Sequence, residues 1–386
     1  MRFPMRFGRI DEAASDKLLL EAARLGVNYL DTGWPYHLGQ SEKYLGSFFT
    51  RTGMRDQFYV ATKMPTWAIK RPGDMDNYLD RQLAKLQSTH IDYYLLHMLI
   101  HWSRWERLKE LGVLDFIKRA KADGRIHHIG FSFHGDQLTF KKIIDDYPWD
   151  FAQIQYNILD ENNQAGTAGL VHAREKGIPV MVMEPLRGGL LGNQVPKKAS
   201  KILKAANPDR SPAAWFLRWV MEKEGVVTVL SGMNELSHLV DNCKTADEAT
   251  IGCMSQKELK AIERVKTIYH EAIQVPCTGC QYCMPCPFGV NIPRNFEIYN
   301  NHHIFPNKPQ RINYLLWFKD TWHEPMDASL CKNCGKCLEH CPQHIDIPNR
   351  LKDVEKKLNR WYLKASLPLI RLYMGAKRKK NDSNNE

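Results

Sequence analysis

The sequence predicts an α/β fold: a (β/α)8 TIM barrel with a truncated first strand, followed by a small α-helical and loop unit organised by cysteines. Three observations carry this expectation. Helix-period and strand-period segments alternate from residue 16 to residue 247, the pattern of parallel strands joined by crossover helices. No G-x-G-x-x-G follows any of those strands, so the phosphate turn of an open doubly wound sheet is missing. Eight of the ten cysteines crowd into two runs near the C-terminal end.

Helix 16–25 puts Leu18, Leu19, Ala22 and Leu25 on one side, and strand 27–31 comes after it. Helix 41–50, strand 58–63, helix 74–87 and strand 91–99 continue the alternation. Helix 106–123, strand 126–133, helix 136–146, strand 151–157, helix 165–176 and strand 179–184 extend it. Helix 212–224, strand 226–231 and helix 235–247 end it. Each strand is short and mostly apolar, as required when both faces are covered. Seven strands are clear, and the only place for the eighth is the stub Met1 to Pro4. The glycine-rich stretch 188–192 follows a strand but has neither dinucleotide spacing nor a phosphate-loop lysine, so by itself it is a flexible loop. The expected division is a barrel over 1–250, a connecting helix over 251–274, a cysteine unit over 275–365, and a terminal helix with a basic tail over 366–386.

Composition narrows the class. At 386 residues and 43% apolar content, the chain suits one large globular domain plus a small one. No apolar run reaches the roughly 18 residues of a membrane span. Part of the +11 charge lies in Lys377 to Lys380, ahead of the polar segment 381–386, which is expected to be disordered. The apolar stretch 367–374 beside that tail offers a contact with an anionic membrane surface. The plainer reading, a packed terminal helix with a solvated tail, is preferred. No helix-turn-helix, zinc finger or aromatic-basic platform supports nucleic-acid binding. The first residues carry no charged and apolar leader, so a cytoplasmic location is expected.

The cysteine runs read Cys277-x2-Cys280-x2-Cys283-x2-Cys286-Pro287 and Cys331-x2-Cys334-x2-Cys337-x3-Cys341-Pro342. Zinc sites use two C-x2-C pairs rather than three successive steps with a distant fourth thiolate. Disulfides need an oxidising compartment. The spacing is that of bacterial ferredoxin ligation of 4Fe–4S clusters, in which the last cysteine of each run serves the other cluster. Two clusters are therefore expected, one on Cys277, Cys280, Cys283 and Cys341, the other on Cys331, Cys334, Cys337 and Cys286. The first run closes with two intervening residues instead of three. Cys243 and Cys253 lie outside both runs and read as small core residues.

Barrel chemistry sits at the C-terminal ends of the strands. Those ends carry Asp31, Tyr36 just beyond it, Lys63 and His97. Taken singly, each has a plain structural reading: a helix cap, a loop aromatic, an exposed charge and a hydrogen-bonded core histidine. Taken together they form a proton-donating set. A phenol is a poor acid near neutral pH, and a neighbouring lysine cation is expected to lower its pKa. An aspartate fixes the lysine, and a neutral histidine orients a carbonyl oxygen, which suits hydride delivery to a carbonyl.

The segments Asp31-Thr32-Gly33-Trp34-Pro35-Tyr36, Val60-Ala61-Thr62-Lys63 and Ile91-Asp92-Tyr93-Tyr94-Leu95-Leu96-His97 resemble the three signature segments of the aldo/keto reductases. Gly130-Phe131-Ser132, Gln153-Ile154-Gln155-Tyr156-Asn157 and Met183-Glu184-Pro185-Leu186-Arg187-Gly188-Gly189 extend the resemblance over about residues 1 to 250. The cysteine unit is similar to that of the subfamily with a C-terminal ferredoxin-like 4Fe–4S domain. The resemblance implies Tyr36 as general acid, supported by Lys63, Asp31 and His97, and a nicotinamide cofactor, NADP(H) or NAD(H). Ser132 and Gln153 would hold the carboxamide. The loop bearing Leu186, Gly188, Leu190 and Leu191 would cover the pyrophosphate. Ser231, Gly232, Met233, Leu239 and Asn242 would bind the adenosine end.

Two departures qualify the resemblance. Many relatives grip a 2′-phosphate with a lysine and an arginine after the last strand, where this chain reads Leu230 to His238 without either. Relatives also carry a hairpin and most of a first strand ahead of the point matched by Met1 to Pro4, so either the start of the chain is misassigned or the barrel floor is open. The substrate class implied is a small carbonyl or alcohol. Trp34, Trp67, His101 and Trp102 suggest an aromatic-lined mouth. Hydride transfer moves two electrons and a cluster takes one, so three readings stand. The first is a carbonyl reductase whose clusters are structural or serve an outside redox partner. The second is a barrel holding another redox cofactor. The third is an electron-transfer subunit with no reductase activity, and the full tetrad argues for catalysis against it.

Overall fold

The computed structural model describes residues 2–277, 279, 281–305, 311, 314, 325–341 and 343–359. Cys280 and the expected terminal helix and basic tail (366–386) lie outside the described residues. The chain divides into two compact units, Met1–Val265 and Lys266–Glu386.

The first unit opens with an antiparallel hairpin, β1 (Met5–Arg6) and β2 (Arg9–Ile10). Alternation follows: α1 (Glu12–Arg24), β3 (Tyr29–Asp31), α2 (Ser41–Thr52), β4 (Tyr59–Pro65), α3 (Gly73–Leu86), β5 (Ile91–Leu99), α4 (Trp102–Glu110), α5 (Val113–Ala122) and β6 (Ile126–Phe133). Next come α6 (Gln137–Asp146), β7 (Phe151–Gln155), α7 (Gly166–Glu175), β8 (Val180–Met183), α8 (Leu190–Asn193), α9 (Lys197–Ala206), α10 (Pro212–Met221), β9 (Val226–Val229) and α11 (Leu236–Glu248). Helix α12 (Gln256–Glu271) crosses the division between the units.

Strands β3 to β9 pair in sequence order in one parallel sheet, which sets all their C-terminal ends on one rim. Ala61, Leu95, Phe151 and Met181 from β4, β5, β7 and β8 form a buried cluster, with Tyr29 and Tyr93 against it. Local chemistry starts the helices. The Asp11 carboxylate accepts from Ala14 N (3.1 Å) at the head of α1, and Ser211 Oγ accepts from Ala214 N (3.0 Å) ahead of Pro212 in α10.

The expected helix 106–123 is two helices, because Gly112 takes φ +83° between α4 and α5, a conformation that ends a right-handed helix. The glycine-rich loop expected at 188–192 runs instead into α8, and α9 follows. Leu190, Leu191, Ala199 and Leu203 there are buried, and that apolar set is what folds the segment. Among the described residues, the first-strand stub pairs with no strand. Phe3 N donates to His37 Nε2 (2.9 Å) and Asp11 N donates to Pro4 O (2.8 Å). Among the described residues the curled sheet therefore has seven strands, and β3 and β9 are its margins.

In the second unit, α13 (Ile292–Ile304) and α14 (Ile347–Leu358) pack together over Val290, Phe296, Leu351 and Val354. Each helix begins in the same way. Asn291 caps Arg294 N (3.2 Å) with Pro293 in the first turn, and Asp346 caps Asn349 N (3.4 Å) with Pro348 in the first turn. Each cap lies five residues after the last cysteine of a run, Cys286 or Cys341, so the two cysteine loops feed equivalent helices.

Candidate functional site

Strands β3, β4 and β5 lie side by side, and their ends bring the tetrad together. The Lys63 side chain is fully buried, and its Nζ donates to Asp31 Oδ1 (2.6 Å) and to Thr32 O (2.6 Å). The Lys63 ammonium also stands 4.6 Å from the Tyr36 ring centre, close enough to act electrostatically on its hydroxyl. The His97 ring stands 6.0 Å from that of Tyr36 at 69°. Thr66 Oγ1 donates to His97 O (2.6 Å), fixing the strand end that carries the imidazole.

The electrostatics correct one expectation. Burial raises the Tyr36 pKa, Lys63 pulls it back, and Asp31 and Glu184 push it up again, so the phenol ends above its ordinary value. Desolvation outweighs the lysine here, and Tyr36 is held as a proton donor rather than made acidic. Burial alone would lower the Lys63 pKa, but Asp31 and Tyr36 raise it above the ordinary lysine value. Burial, then the Lys63 cation, then His134 hold His97 well below its usual range, so its ring is neutral. His97 Nδ1 is buried without a hydrogen-bond partner among the described residues.

Ser132 on β6 and Gln153 on β7 are register partners on the same rim. Ser132 Oγ accepts from Met98 N (2.9 Å). Gln153 Nε2 contacts Met183 Sδ (3.4 Å), while its Oε1 is buried with no partner among the described residues. An orphaned buried amide oxygen costs stability unless a ligand donor meets it, and a carboxamide N–H fits it.

In the next loop, Gly189 N and Leu191 N donate to Leu186 O (2.9 and 3.1 Å) and Leu190 N donates to Arg187 O (3.3 Å). Arg187 anchors this loop by donating from Nε and one terminal nitrogen to buried Asp160 (3.1 Å each). Burial alone would raise the Asp160 carboxyl, but Arg187 and its amide partners hold it below the usual carboxylate range. Gly188 and exposed Gly232 lie close to one another through Arg2, which donates to Gly188 O (3.1 Å) and lies against both glycines. Asn242 Nδ2 donates to Ser231 Oγ (3.0 Å). Leu239 packs with Ala22 and Cys243, and Met233 rests on that cluster, so these two support the loop as apolar contacts. His238 sits 4.0 Å from the Glu235 carboxylate.

Two contributors escaped sequence reasoning. Arg2 carried no signal, because a stub arginine has no motif. Glu184 could have been found at the end of β8 in the strand-end survey. Trp67, a suspected mouth residue, does reach the site, with its ring 5.1 Å from that of His97. Trp34 and Trp102 pack on other side chains. Trp34 packs on Tyr78 (4.8 Å) under Arg81 and Lys85 of α3, and Trp102 lies beneath Lys109 and Lys142. His101 is exposed just ahead of α4.

In the second unit, Cys283, Cys286, Cys331, Cys334 and Cys337 line one cavity of about 420 Å³. A second, smaller cavity is lined by Cys277, Cys283 and Cys341. Burial pushes the Cys337 thiol up to about 11, and Cys331, Cys334 and Cys286 add to that shift. These four sulfurs therefore share one space, and a thiolate set of that kind selects soft metal centres. Cys243 is buried and Cys253 half-buried.

A family model described as the aldo/keto reductase family matches residues 1–266. The chain belongs to the aldo/keto reductase family. A 4Fe-4S dicluster domain matches residues 276–345 of this reductase-family chain. Among relatives, it is 26% identical over 281 residues to the L-galactose dehydrogenase of Arabidopsis thaliana, covering 67% of this chain and 86% of the relative. It is 29% identical over 236 residues to the NADH-specific methylglyoxal reductase of Escherichia coli (strain K12), covering 56% of this chain and 68% of the relative. In fold, this aldo/keto reductase is similar to a structure from Klebsiella pneumoniae in complex with NADPH. The TM-score is 0.56 at 22% identity, over 66% of this chain and 85% of that one. The holo form of AKR11C1 from Bacillus halodurans gives the same TM-score and identity, with 88% of that chain covered.

Proposed function

We propose that the barrel, taken as 1–250, is a nicotinamide-dependent oxidoreductase acting on a small carbonyl or alcohol. The cysteine unit, 275–365, would hold two 4Fe–4S clusters that exchange single electrons with a redox partner outside the chain. When bound, the nicotinamide would supply or accept the hydride. Ser132 and Gln153 would hold its carboxamide, and Arg2 and the 186–191 loop would lie along its phosphates. Tyr36 keeps a proton on its phenolic oxygen, ready to pass to the substrate oxygen during reduction. Lys63 stays charged beside it and steadies the phenolate that this transfer leaves. Asp31 fixes Lys63, and neutral His97 orients the substrate carbonyl.

The observation that carries the reading is Lys63: a fully buried ammonium placed between a carboxylate and a phenol. Burying a cation is costly, and the placement is explained by proton transfer at Tyr36. NAD(H) is favoured over NADP(H), because the adenosine end carries Glu235 beside His238, and a carboxylate there opposes a 2′-phosphate. Cluster ligation by Cys277, Cys280, Cys283 and Cys341, and by Cys331, Cys334, Cys337 and Cys286, is supported by the two cavities that the seven of them among the described residues line. Eight thiolate ligands suit a reducing compartment such as the cytoplasm.

The test is NADH oxidation with a panel of aldehydes and ketones by the intact protein and by Tyr36→Phe. The substitution is expected to lower kcat by about 10²–10⁴-fold, the usual contribution of a general acid. Undiminished turnover would remove Tyr36 from the chemistry.

A further inference from the structure

At the other end of the strands from the tetrad, three metal-type donors converge. His90 precedes β5, Asp92 is the second residue of β5, and His127 is the second residue of β6. The parallel register pairs Ile91 with Ile126 and Tyr93 with His128, so Asp92 and His127 stand level on one face. Asp92 Oδ1 lies 3.6 Å from His90 Nε2 and 3.8 Å from His127 Nδ1. All three donor atoms fall within 4.8 Å of one another. Two ligands of a tetrahedral ion with bonds of roughly 2.0–2.1 Å stand about 3.4 Å apart, so the carboxylate lies within a few tenths of an ångström of that spacing from each nitrogen. The imidazoles stack with ring centres 4.5 Å apart and planes at 19°, so binding requires one ring to turn until both nitrogen lone pairs meet at one point.

The donors are held by a frame. Arg55 donates to Asp92 Oδ2 (2.7 Å) and to His90 O (3.2 Å), and further to Ser88 Oγ (3.1 Å) and Phe58 O (2.9 Å). Val60 N also donates to Asp92 Oδ2 (2.8 Å). One carboxylate oxygen is thus committed, and the other is turned toward both histidines, as outer partners do around metal ligands. Asp92 as a purely structural acceptor explains Oδ2. It does not explain why two imidazole nitrogens flank Oδ1 at nearly equal distances. The Arg55 cation opposes a dication but grips the opposite oxygen. None of these residues belongs to the tetrad or to the cysteine runs.

We infer that His90, Asp92 and His127 form a binding site for a divalent cation of borderline softness, zinc being the best match, with a fourth coordination position taken by water.

The experiment uses the full chain with its iron–sulfur centres assembled, so that the cysteines are occupied. Zinc is titrated against a chromophoric chelator in the unsubstituted protein, in His127→Ala and in His90→Gln. His127 has 47% of its side chain exposed, so its truncation leaves the core intact. Asp92 is left in place because Arg55 and Val60 depend on it. The unsubstituted protein is expected to hold one zinc per chain more tightly than either variant by more than about tenfold, since losing even an outer partner costs that much. Zinc should also raise its Tm and leave that of the variants unchanged. Far-UV circular dichroism and iron content that match across the three proteins exclude misfolding as the cause of a difference. Equal zinc affinity and equal Tm response in all three would overturn the site.

Discussion

The side chains of the tetrad set a pH signature. The proposed carbonyl reduction needs Tyr36 protonated, and burial holds its pKa above the ordinary phenol value despite Lys63. The donor form is lost only as pH rises through that raised pKa. With a fast chemical step, kcat/KM for reduction is expected to stay level through pH 9 and to fall beyond 10. An alkaline limb between pH 7 and 8 that vanishes in Tyr36→Phe would mean that Lys63 acidifies the phenol after all. Cofactor choice is likewise a matter of single residues. Replacing the exposed carboxylate in Glu235→Lys exchanges repulsion for a charge-assisted contact of roughly 1.5–3 kcal/mol. NADPH should then gain at least about tenfold in kcat/KM relative to NADH, and an unchanged cofactor ratio would place the adenosine end elsewhere. That these four side chains gather could be read in the sequence because each lies in the last three residues of a strand or in the loop just after one. The sign of the Tyr36 shift could not, since desolvation depends on packing that no single residue announces.

Among the elements, the helices α2 and α3 cross at their closest on Gly46. A Cβ there would meet Lys85 O at 2.2 Å and Leu86 C at 2.7 Å, both of them backbone atoms that cannot rotate away. Gly46→Ala therefore has to separate the two helices, and overpacking of this kind costs roughly 1–3 kcal/mol. A lowered urea midpoint with unchanged slope would record it, and an unshifted midpoint would show that the helices yield freely. Lys63 and Glu42 sit beneath this crossing, joined through Gln82, whose Nε2 donates to Glu42 Oε1 (2.6 Å) and to Lys63 O (3.1 Å). Loosening it should also raise KM. Strand and helix order was legible because period and length differ so clearly. Helices α8 and α9 were hidden behind glycines that suggested a loop, and the α4–α5 break was hidden by a continuous apolar period. The Arg55 frame at the strand starts could not be anticipated, because it joins residues 55, 58, 60, 88, 90 and 92, which meet only after folding.

For the molecule as a whole, the proposed division of labour keeps hydride chemistry in the barrel and single-electron chemistry in the cysteine unit. Two clusters require about eight irons per chain. Anaerobic chelation should bleach the visible absorbance while leaving NADH-dependent carbonyl reduction in place. Loss of that reduction together with the iron would show that the clusters lie on the route to substrate. The two-unit division could be read in the sequence from the cysteine runs alone, since thiolate spacing encodes ligation directly. The seven-strand outcome was only half legible, because a stub of a few residues does not say whether it will pair. The sheet that results has margins of three and four residues, β3 and β9. Margins so short give a stray polypeptide almost no ladder to copy. A gap in the ring is thus compatible with a chain that resists templated growth into fibres.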